Sequence, residues 1–363
     1  MLRPADIDFR HLVPGRVSGY IFGIIASNYS DGGIIASGCM SLAPVDPEKP
    51  IGHFRADIVE GGGRRRTLFV RISSPWPPAK SRMIASASAY LASKGIGCEE
   101  WIPRVDGKGP FIVDTKTFSV PVQFSLARFE DLKVIGTGRQ ELRELGTQIG
   151  RLHKFLKKMP LAASVKRRSA MRSRELSGVL SRLKKAVRTR DLRQGFSDRA
   201  GWIHKNRVFI DNLLREYRPD FRLSGDLRCQ VVHGDLNVGN VLRSGKGIVF
   251  LDFEEMDHSY LPALADIAMA VERFIIFDEP GKGLLRDRMS SFIRAYMRET
   301  DSPFSRRAGI PAGGQIAAMI RQLDYHAVCV LLSMNEDERR AFPEEEWDKF
   351  ILLESRSRRI ETD

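Results

Sequence analysis

Val231-Val232-His233-Gly234-Asp235-Leu236-Asn237-Val238-Gly239-Asn240-Val241-Leu242, followed shortly by Val249-Phe250-Leu251-Asp252-Phe253-Glu254, is the stretch on which the fold turns. Both segments contain apolar, β-branched runs of the kind that form short buried strands, and each run leads into an acidic residue. The pattern reduces to Asp-x4-Asn with a second Asp at the end of a strand. Phosphoryl transfer calls for these groups: a carboxylate that orients an attacking hydroxyl and accepts its proton, and hard oxygen ligands that hold Mg²⁺ on nucleotide phosphates. Asp235 suits the first task. Asn240 and Asp252 suit the second, because an amide oxygen and a carboxylate are both hard ligands. Read alone, His233 to Asn240 is also a plain strand-ending turn, since Gly, Asp and Asn are turn formers.

Outward from this stretch, apolar positions 142, 145, 149, 152, 155 and 156 predict a helix ending near Pro160. A second helix is predicted over 171–190, with Met171, Leu176, Val179, Leu180, Leu183 and Val187 on one face, and a third over 201–217. A strand at 229–233, short strands at 240–243 and 247–252 and helices from about 263 onward follow. The first third reads as β-rich. Runs 20–26 and 33–40 flank Ser30-Asp31-Gly32-Gly33, and runs 52–59 and 66–72 flank Gly61-Gly62-Gly63, so two hairpins are predicted. The segment 43–50 reads as a loop, Pro75, Pro77 and Pro78 end a strand, and 80–94 has helical spacing. An extended run, 120–126, closes the β-rich part. The expected organisation is α+β, with a β-rich lobe over 1–125 and a mainly helical lobe over 126–363.

The 363 residues are 42% hydrophobic, enough apolar material for a core, which excludes a disordered chain; 31 Gly and 18 Pro exclude a collagen-like one. No apolar run reaches the ~18 residues of a membrane span, and charged residues interrupt the N-terminus where a secretion signal needs an apolar segment, so a cytoplasmic protein is expected. Cys39, Cys98, Cys229 and Cys329 form no CxxC pair and read as buried thiols rather than a metal or disulfide framework. The 58 Lys and Arg against 45 Asp and Glu give a net charge of +13. Its location is uneven: 151–195 holds 15 of the basic residues and only Glu175 and Asp191, so the rest of the chain is neutral. A basic wall over 157–193 suits an anionic partner or a membrane surface, or is a solvated helix face; with only Phe155 and Phe196 as aromatics beside it, it makes no strong case for nucleic acid. Neither GxxxxGK[ST] nor a strand-following GxGxxG is present, which argues against a P-loop or Rossmann site.

The motif resembles the aminoglycoside phosphotransferase and choline kinase superfamily, the small-molecule branch of the protein-kinase-like fold. Leu145-Gly146-x3-Gly150-Arg151-Leu152-His153 is similar to that family's helix ending in Leu-His, and Asp252-Phe253-Glu254 with Leu264-Ala265-Asp266-Ile267-Ala268 to its metal Asp and downstream Asp-[Ile/Leu]-Ala element. The resemblance spans about 140–275. It implies a bilobal fold with a nucleotide-covering N-lobe and ATP- and Mg-dependent phosphorylation of a small-molecule hydroxyl. Asp235 would be the catalytic base, His233 would support the loop, and Asn240 and Asp252 would hold the metal. His153 and Asp266 read as structural, Asp266 holding the catalytic loop. Glu254, Glu255, Asp257 and His258 can face substrate or solvent.

The N-lobe departs from the family pattern. Where the family has a strand Lys that grips nucleotide phosphates, Leu68-Phe69-Val70-Arg71-Ile72 offers Arg71, a planar fork rather than a point charge. The helix 80–94 has no acidic residue to partner that cation, which leaves Glu99 or Glu100 as a replacement. A phosphate-covering loop has two candidates, 27–33 and 37–41. A basic wall at the acceptor side would favour an anionic acceptor and repel a polycationic aminoglycoside. The altered lobe keeps open a non-catalytic, pseudokinase-like nucleotide binder, and the basic segment keeps open a kinase acting on a protein or a membrane-linked saccharide.

Overall fold

The computed structural model describes residues 23, 41–44, 53–59, 65–73, 75–99, 101–104, 106, 109–114, 122–128, 132–221, 227–277, 282–304, 312–340 and 342–361. Apart from Gly23 and Ser41, the predicted hairpin over 20–40 and both candidate phosphate-covering loops lie outside them, as do Cys39 and Glu100. The chain divides into two compact units, one of 1–133 with 242–254 and one of 134–241 with 255–363. The break therefore falls after 133 instead of at 125. The reason is β pairing, since the strand covering 122–128 is hydrogen-bonded inside the first unit.

The strands are β1 (Ser41–Pro44), β2 (His53–Val59), β3 (Arg65–Ser73), β4 (Gly97–Cys98), β5 (Phe111–Asp114), β6 (Val122–Arg128), β7 (Lys133–Val134), β8 (Cys229–Val231), β9 (Val241–Ser244), β10 (Gly247–Phe250) and β11 (Tyr260–Pro262). In the first unit β1-β2-β3-β6-β5 form an antiparallel sheet, which bears out the hairpin predicted around 61–63. Leu68, Val70 and Ile72 of β3 are buried while Thr67, Phe69 and Arg71 between them are only partly so, the period of two that turns one face of a strand into the core. Helix α1 (Pro78–Ser93) starts at the proline pair, which costs nothing there because the first helical N–H groups lack partners anyway. It buries Met83, Ile84, Ala87 and Leu91 on one face. A second sheet, ordered β4-β10-β9-β7, carries β10 parallel to β4.

The second unit is helical: α2 (Arg139–Leu156), α3 (Ala162–Thr189), α4 (Ala200–Lys205), α5 (Arg207–Glu216), α6 (Leu264–Val271), α7 (Lys282–Glu299), α8 (Ala312–Ser333) and α9 (Glu344–Glu361), with short helical turns at Arg193–Phe196 and Glu336–Arg340. Three predictions are corrected. Helix α3 begins at Ala162 rather than 171, and Met171 faces solvent, because Val165 and Ser169 extend the buried stripe one helical turn and more toward the N-terminus. The helix predicted over 201–217 breaks at Asn206, whose side-chain Nδ2 caps the Trp202 carbonyl at 3.1 Å. Helix α8 is long and apolar enough by composition to cross a membrane, against expectation. Within the protein it is a core helix, packing Tyr325, Val328, Cys329, Leu331 and Leu332 against Leu176 and Leu183 of α3, Trp202, Phe209 and Trp347. Cys98 and Cys329 are buried thiols as expected, and Cys229 is half-buried.

Helix α2 lies against α7 at close range, and Gly146 and Gly150 make this possible. A Cβ at Gly146 would collide with the Phe292 carbonyl oxygen, and one at Gly150 would sit 2.7 Å from the Glu299 Cβ. Gly178, on α3, has only the tip of Arg182 nearby. Gly146→Leu is expected to cost about 1–3 kcal/mol by overpacking, whereas Gly178→Ala is expected to add about 0.5–1 kcal/mol by lowering chain entropy in a helix interior. Urea denaturation of the two variants beside wild type checks both signs.

Candidate active site

In the second unit the site begins where β8 ends. Strand β8 pairs with β11, Val231 opposite Tyr260, and then delivers Val232, His233, Gly234 and Asp235 in sequence. Gly234 has φ +87°, and a Cβ there would collide with the Ser259 hydroxyl, so only glycine makes this turn. The turn is held from below by Asp266 on α6, which is 1% exposed. Its Oδ2 accepts the His233 N–H at 2.8 Å and meets His153 Nε2 at 2.9 Å, and its Oδ1 accepts the Gly234 N–H at 2.9 Å. Burial by itself raises this carboxyl. The His153 hydrogen bond, the His153 and His233 rings and the Gly234 N–H together bring it below the ordinary aspartate value. An ionised carboxylate only accepts, so His153 Nε2 donates. In the neutral ring Nδ1 then accepts from the Tyr296 hydroxyl, 2.9 Å away. His153 and Asp266 are thus structural, as expected.

Above that pillar, His233 is fully buried and its Nδ1 accepts the Asp235 N–H at 3.3 Å. Asp235 is half-buried, and its Oδ2 accepts from Asn237 Nδ2 at 2.9 Å and from Asn240 Nδ2 at 2.7 Å. Asn237 Oδ1 in turn accepts the Gly239 and Asn240 N–H groups at 2.7 and 3.1 Å. The sequence reading passed over Asn237. Its signal is local: an Asn two residues after an Asp, followed by Gly, is a residue whose side chain can close a turn onto the backbone two residues on. Both amides bond Oδ2, and among the described residues no hydrogen bond takes Asp235 Oδ1. Asn240 spends its Nδ2 on Asp235 and keeps its Oδ1 as the atom a cation could take.

In the first unit the strand β10 runs into Leu251, Asp252, Phe253 and Glu254. Asp252 has φ 57°, left-handed backbone that costs a non-glycine residue of order 1 kcal/mol and persists where the surroundings impose it. Phe253 is fully buried, and the Asp252 N–H points at Glu99 Oε2, 3.4 Å away. Asp252 Oδ1 is buried and no hydrogen bond from the described residues reaches it; Arg71 Nη1 lies 3.6 Å off. A hard, buried, unsatisfied carboxylate oxygen is a fit for a divalent cation. Arg71 Nη2 bonds Glu254 Oε1, Lys80 Nζ is 3.8 Å from Glu254 Oε2, and the Trp76 ring lies 5.1 Å from the Arg71 guanidinium carbon.

The partner of Arg71 is therefore Glu254, which was expected to face substrate or solvent. Glu99 has a different place, buried beside Asp252. Burial pushes the Glu99 carboxyl up, Arg71 opposes and Asp252 adds to the rise, and the result is about 7. Asp257 is also structural: it is 4% exposed, with Arg168 Nη2 2.6 Å from its Oδ1. The other basic side chains of 154–193 mostly face solvent, including Lys166, Arg167, Arg174, Arg182, Lys184, Lys185, Arg188 and Arg190.

A family model described as "Phosphotransferase enzyme family" matches residues 53–300, more than half of the chain. Among solved structures, a spectinomycin phosphotransferase in its AMP-bound complex aligns with a TM-score of 0.57 at 11% identity, over 93% of this chain and 97% of that one. An amicoumacin kinase in complex with AMP-PNP and Ca²⁺ aligns at 0.54 and 14% identity, over 89% and 88%. A choline kinase from Cryptosporidium parvum Iowa II aligns at 0.52 and 13% identity, over 93% and 95%. No curated protein sequence matches significantly. These likenesses are of fold, and they bear out the expected α+β, kinase-like class.

Two stability predictions follow from the buried carboxyls. Asp266 is held low in the folded state, so its contribution is complete above the ordinary aspartate pKa and is lost as pH falls through its depressed folded value. Asp266→Asn puts an amide N–H against donors, costs about 3 kcal/mol at neutral pH, and flattens the acid limb of urea-melt stability against pH. Glu99 is raised to about 7, so its ionisation costs stability between its unfolded value and that pH. Glu99→Gln should therefore match wild type near pH 4.5 and exceed it above pH 7, by an amount on the order of 3 kcal/mol.

Proposed function

Because the chain belongs to the phosphotransferase enzyme family, we propose that it transfers the γ-phosphoryl group of ATP to a hydroxyl of a small molecule, in a Mg²⁺-dependent reaction. The observation that carries this reading is Asp235: one carboxylate oxygen locked by two amides, the other left for a substrate proton. In this reading Asp235 accepts the hydroxyl proton while the hydroxyl oxygen bonds the γ-phosphorus and the bond to the β-phosphate oxygen breaks. Asn237 and Asn240 fix the carboxylate's direction. A base held within hydrogen-bond reach in one orientation contributes more than one that must find it, since the positional entropy is already spent. His233 carries the Asp235 backbone and acts as a positioning residue.

Asn240 and Asp252 would hold the metal through their side-chain oxygens. Bound there, Mg²⁺ would neutralise charge on the nucleotide phosphates. Arg71 would serve the phosphates as a bidentate fork, and Lys80, 5.7 Å over the same Trp76 ring, brings a second cation to that patch. Both now lie on Glu254, so anion binding at Arg71 exchanges a carboxylate for a phosphate.

A small-molecule acceptor is supported by the kinds of kinases that share the fold. An anionic acceptor is supported by the solvent-facing cations of α3, a field that raises the local concentration of anions and disfavours polycations.

Asp235→Asn and Asp252→Ala are each expected to lower turnover by at least about 10³-fold without unfolding the protein. The measurement is Mg²⁺-dependent ATP binding by calorimetry and phosphate release, for both variants beside wild type. ATP bound and slowly hydrolysed by wild type, with hydrolysis lost in both variants, supports the kinase. ATP bound without hydrolysis at any Mg²⁺ concentration would put the non-catalytic nucleotide binder in its place.

A further inference from the structure

The second unit has an open cavity of about 890 Å³ whose walls are the C-terminal ends of α2 and α7, the segment 300–304 and the chain entering β8. Asp235, Asn237 and Asn240 are not among its lining residues. Its size is that of a small-molecule site, roughly 300–1,000 Å³. The charge on its walls is one-sided. Lys154, Lys157, Lys158, Arg228 and Arg298 face it against Glu299 and Asp301. Asp301 is already taken, its Oδ2 3.4 Å from Lys157 Nζ. Among the described residues no carboxylate pairs with Lys154, Lys158, Arg228 or Arg298, and all four are exposed.

Helix dipoles explain part of this. Two helix C-termini converge on the cavity, each equivalent to about half a negative charge, so roughly one cation's worth of charge is matched by the helices themselves. The walls carry three more cations than carboxylates. About two positive charges therefore stand unmatched around one concavity, and Arg228 belongs to neither helix.

The floor of the cavity is His153 and Tyr296, 1% and 2% exposed. These are the two side chains that continue the Asp266 pillar, from the Tyr296 hydroxyl to His153 to Asp266 to the N–H groups of His233 and Gly234. Gln230, also on the wall, bonds the His153 carbonyl from Nε2 at 3.3 Å, and two residues on its strand becomes the turn.

We propose that this cavity binds an oligophosphate-class small molecule, one carrying two or more phosphate groups, at a site separate from the catalytic loop, and that its occupancy stiffens the loop through Tyr296, His153 and Gln230. Phosphate groups suit the walls because Arg takes them bidentately while Lys matches them as a point charge. The coupling is short, since one buried hydrogen-bonded chain joins the cavity floor to the backbone of the turn.

The test is calorimetric titration of the full chain with inorganic tripolyphosphate at low ionic strength without Mg²⁺. The comparison is wild type, Arg71→Ala, which removes the β3 cation proposed to take nucleotide phosphates, and Arg71→Ala carrying Lys158→Glu/Arg228→Glu. Both cavity positions are exposed, and thermal melts check folding; should the double reversal fail to fold, Lys158→Gln/Arg228→Gln takes its place. The expected result is binding by wild type that survives in Arg71→Ala and is weakened at least about tenfold by the added cavity substitutions. Absence of binding to Arg71→Ala at millimolar tripolyphosphate, or equal affinity with and without the cavity substitutions in that background, would overturn the site, the first by placing the anion at the β3 cation. Amide hydrogen exchange reads the coupling: tripolyphosphate should slow exchange at His233 and Gly234, and unchanged rates there with ligand bound would overturn it.

Discussion

The carboxylate of Asp266 is the constraint around which the second unit is arranged. Placing a charge where it is 1% exposed carries a large desolvation penalty, and the protein offsets it with three donors: His153 and the backbone N–H groups of His233 and Gly234. Two of those donors belong to the turn that presents Asp235, so satisfying the charge and shaping the turn are one event. The third comes from α2, which can bring His153 to that depth because glycines at 146 and 150 let it approach α7 closely. Sequence elements more than a hundred residues apart, the Leu-His helix end and the Asp-Ile-Ala helix, are thereby linked by electrostatics rather than by apolar packing alone.

The first unit solves a different electrostatic problem. Arg71, Lys80, Glu99, Asp252 and Glu254 are crowded near one strand end, and the balance is local: Arg71 answers Asp252 and Glu254 while Glu99 sits buried and, among the described residues, forms no ion pair. That is why the Glu99 carboxyl is pushed up to about 7. It is also why an Arg is sustained at position 71. The guanidinium spans two carboxylates and lies over Trp76, a geometry that a compact ammonium does not reproduce. The left-handed backbone of Asp252 belongs to the same arrangement, since it is held between the fully buried Phe250 and Phe253 on either side.

Much of this was legible in the sequence because it is local. The period-two burial of β3, the helical stripes of α1 and α2 and the turn chemistry of His233 to Asn240 depend on residues within a few positions of each other, and short-range periodicity reports them. The same locality explains the errors. Nothing near Val165 and Ser169 distinguishes a buried face from a solvated one until α3 packs in the second unit, and nothing near Asn206 shows that its side chain will cap Trp202 and split a helix. The apolar composition of α8 has two physical explanations, lipid or core, and only its contacts with α3, Trp202, Phe209 and Trp347 decide between them.

The sequence by itself determined the class of fold and the spacing of the acidic and amide side chains around one turn, because Asp-x4-Asn, a strand-ending Asp and a glycine-permitted turn are readable from residue type and spacing. Tertiary structure alone decided which groups meet. It gave Arg71 to Glu254 rather than to a helix carboxylate, put Glu99 beneath Asp252, drew Asn237 into the fixing of Asp235 and spread exposed cations around the floor formed by His153 and Tyr296. Those pairings depend on long-range approach and on burial, which sets the strength of every charge interaction, and neither quantity is written in the spacing of residues along a chain.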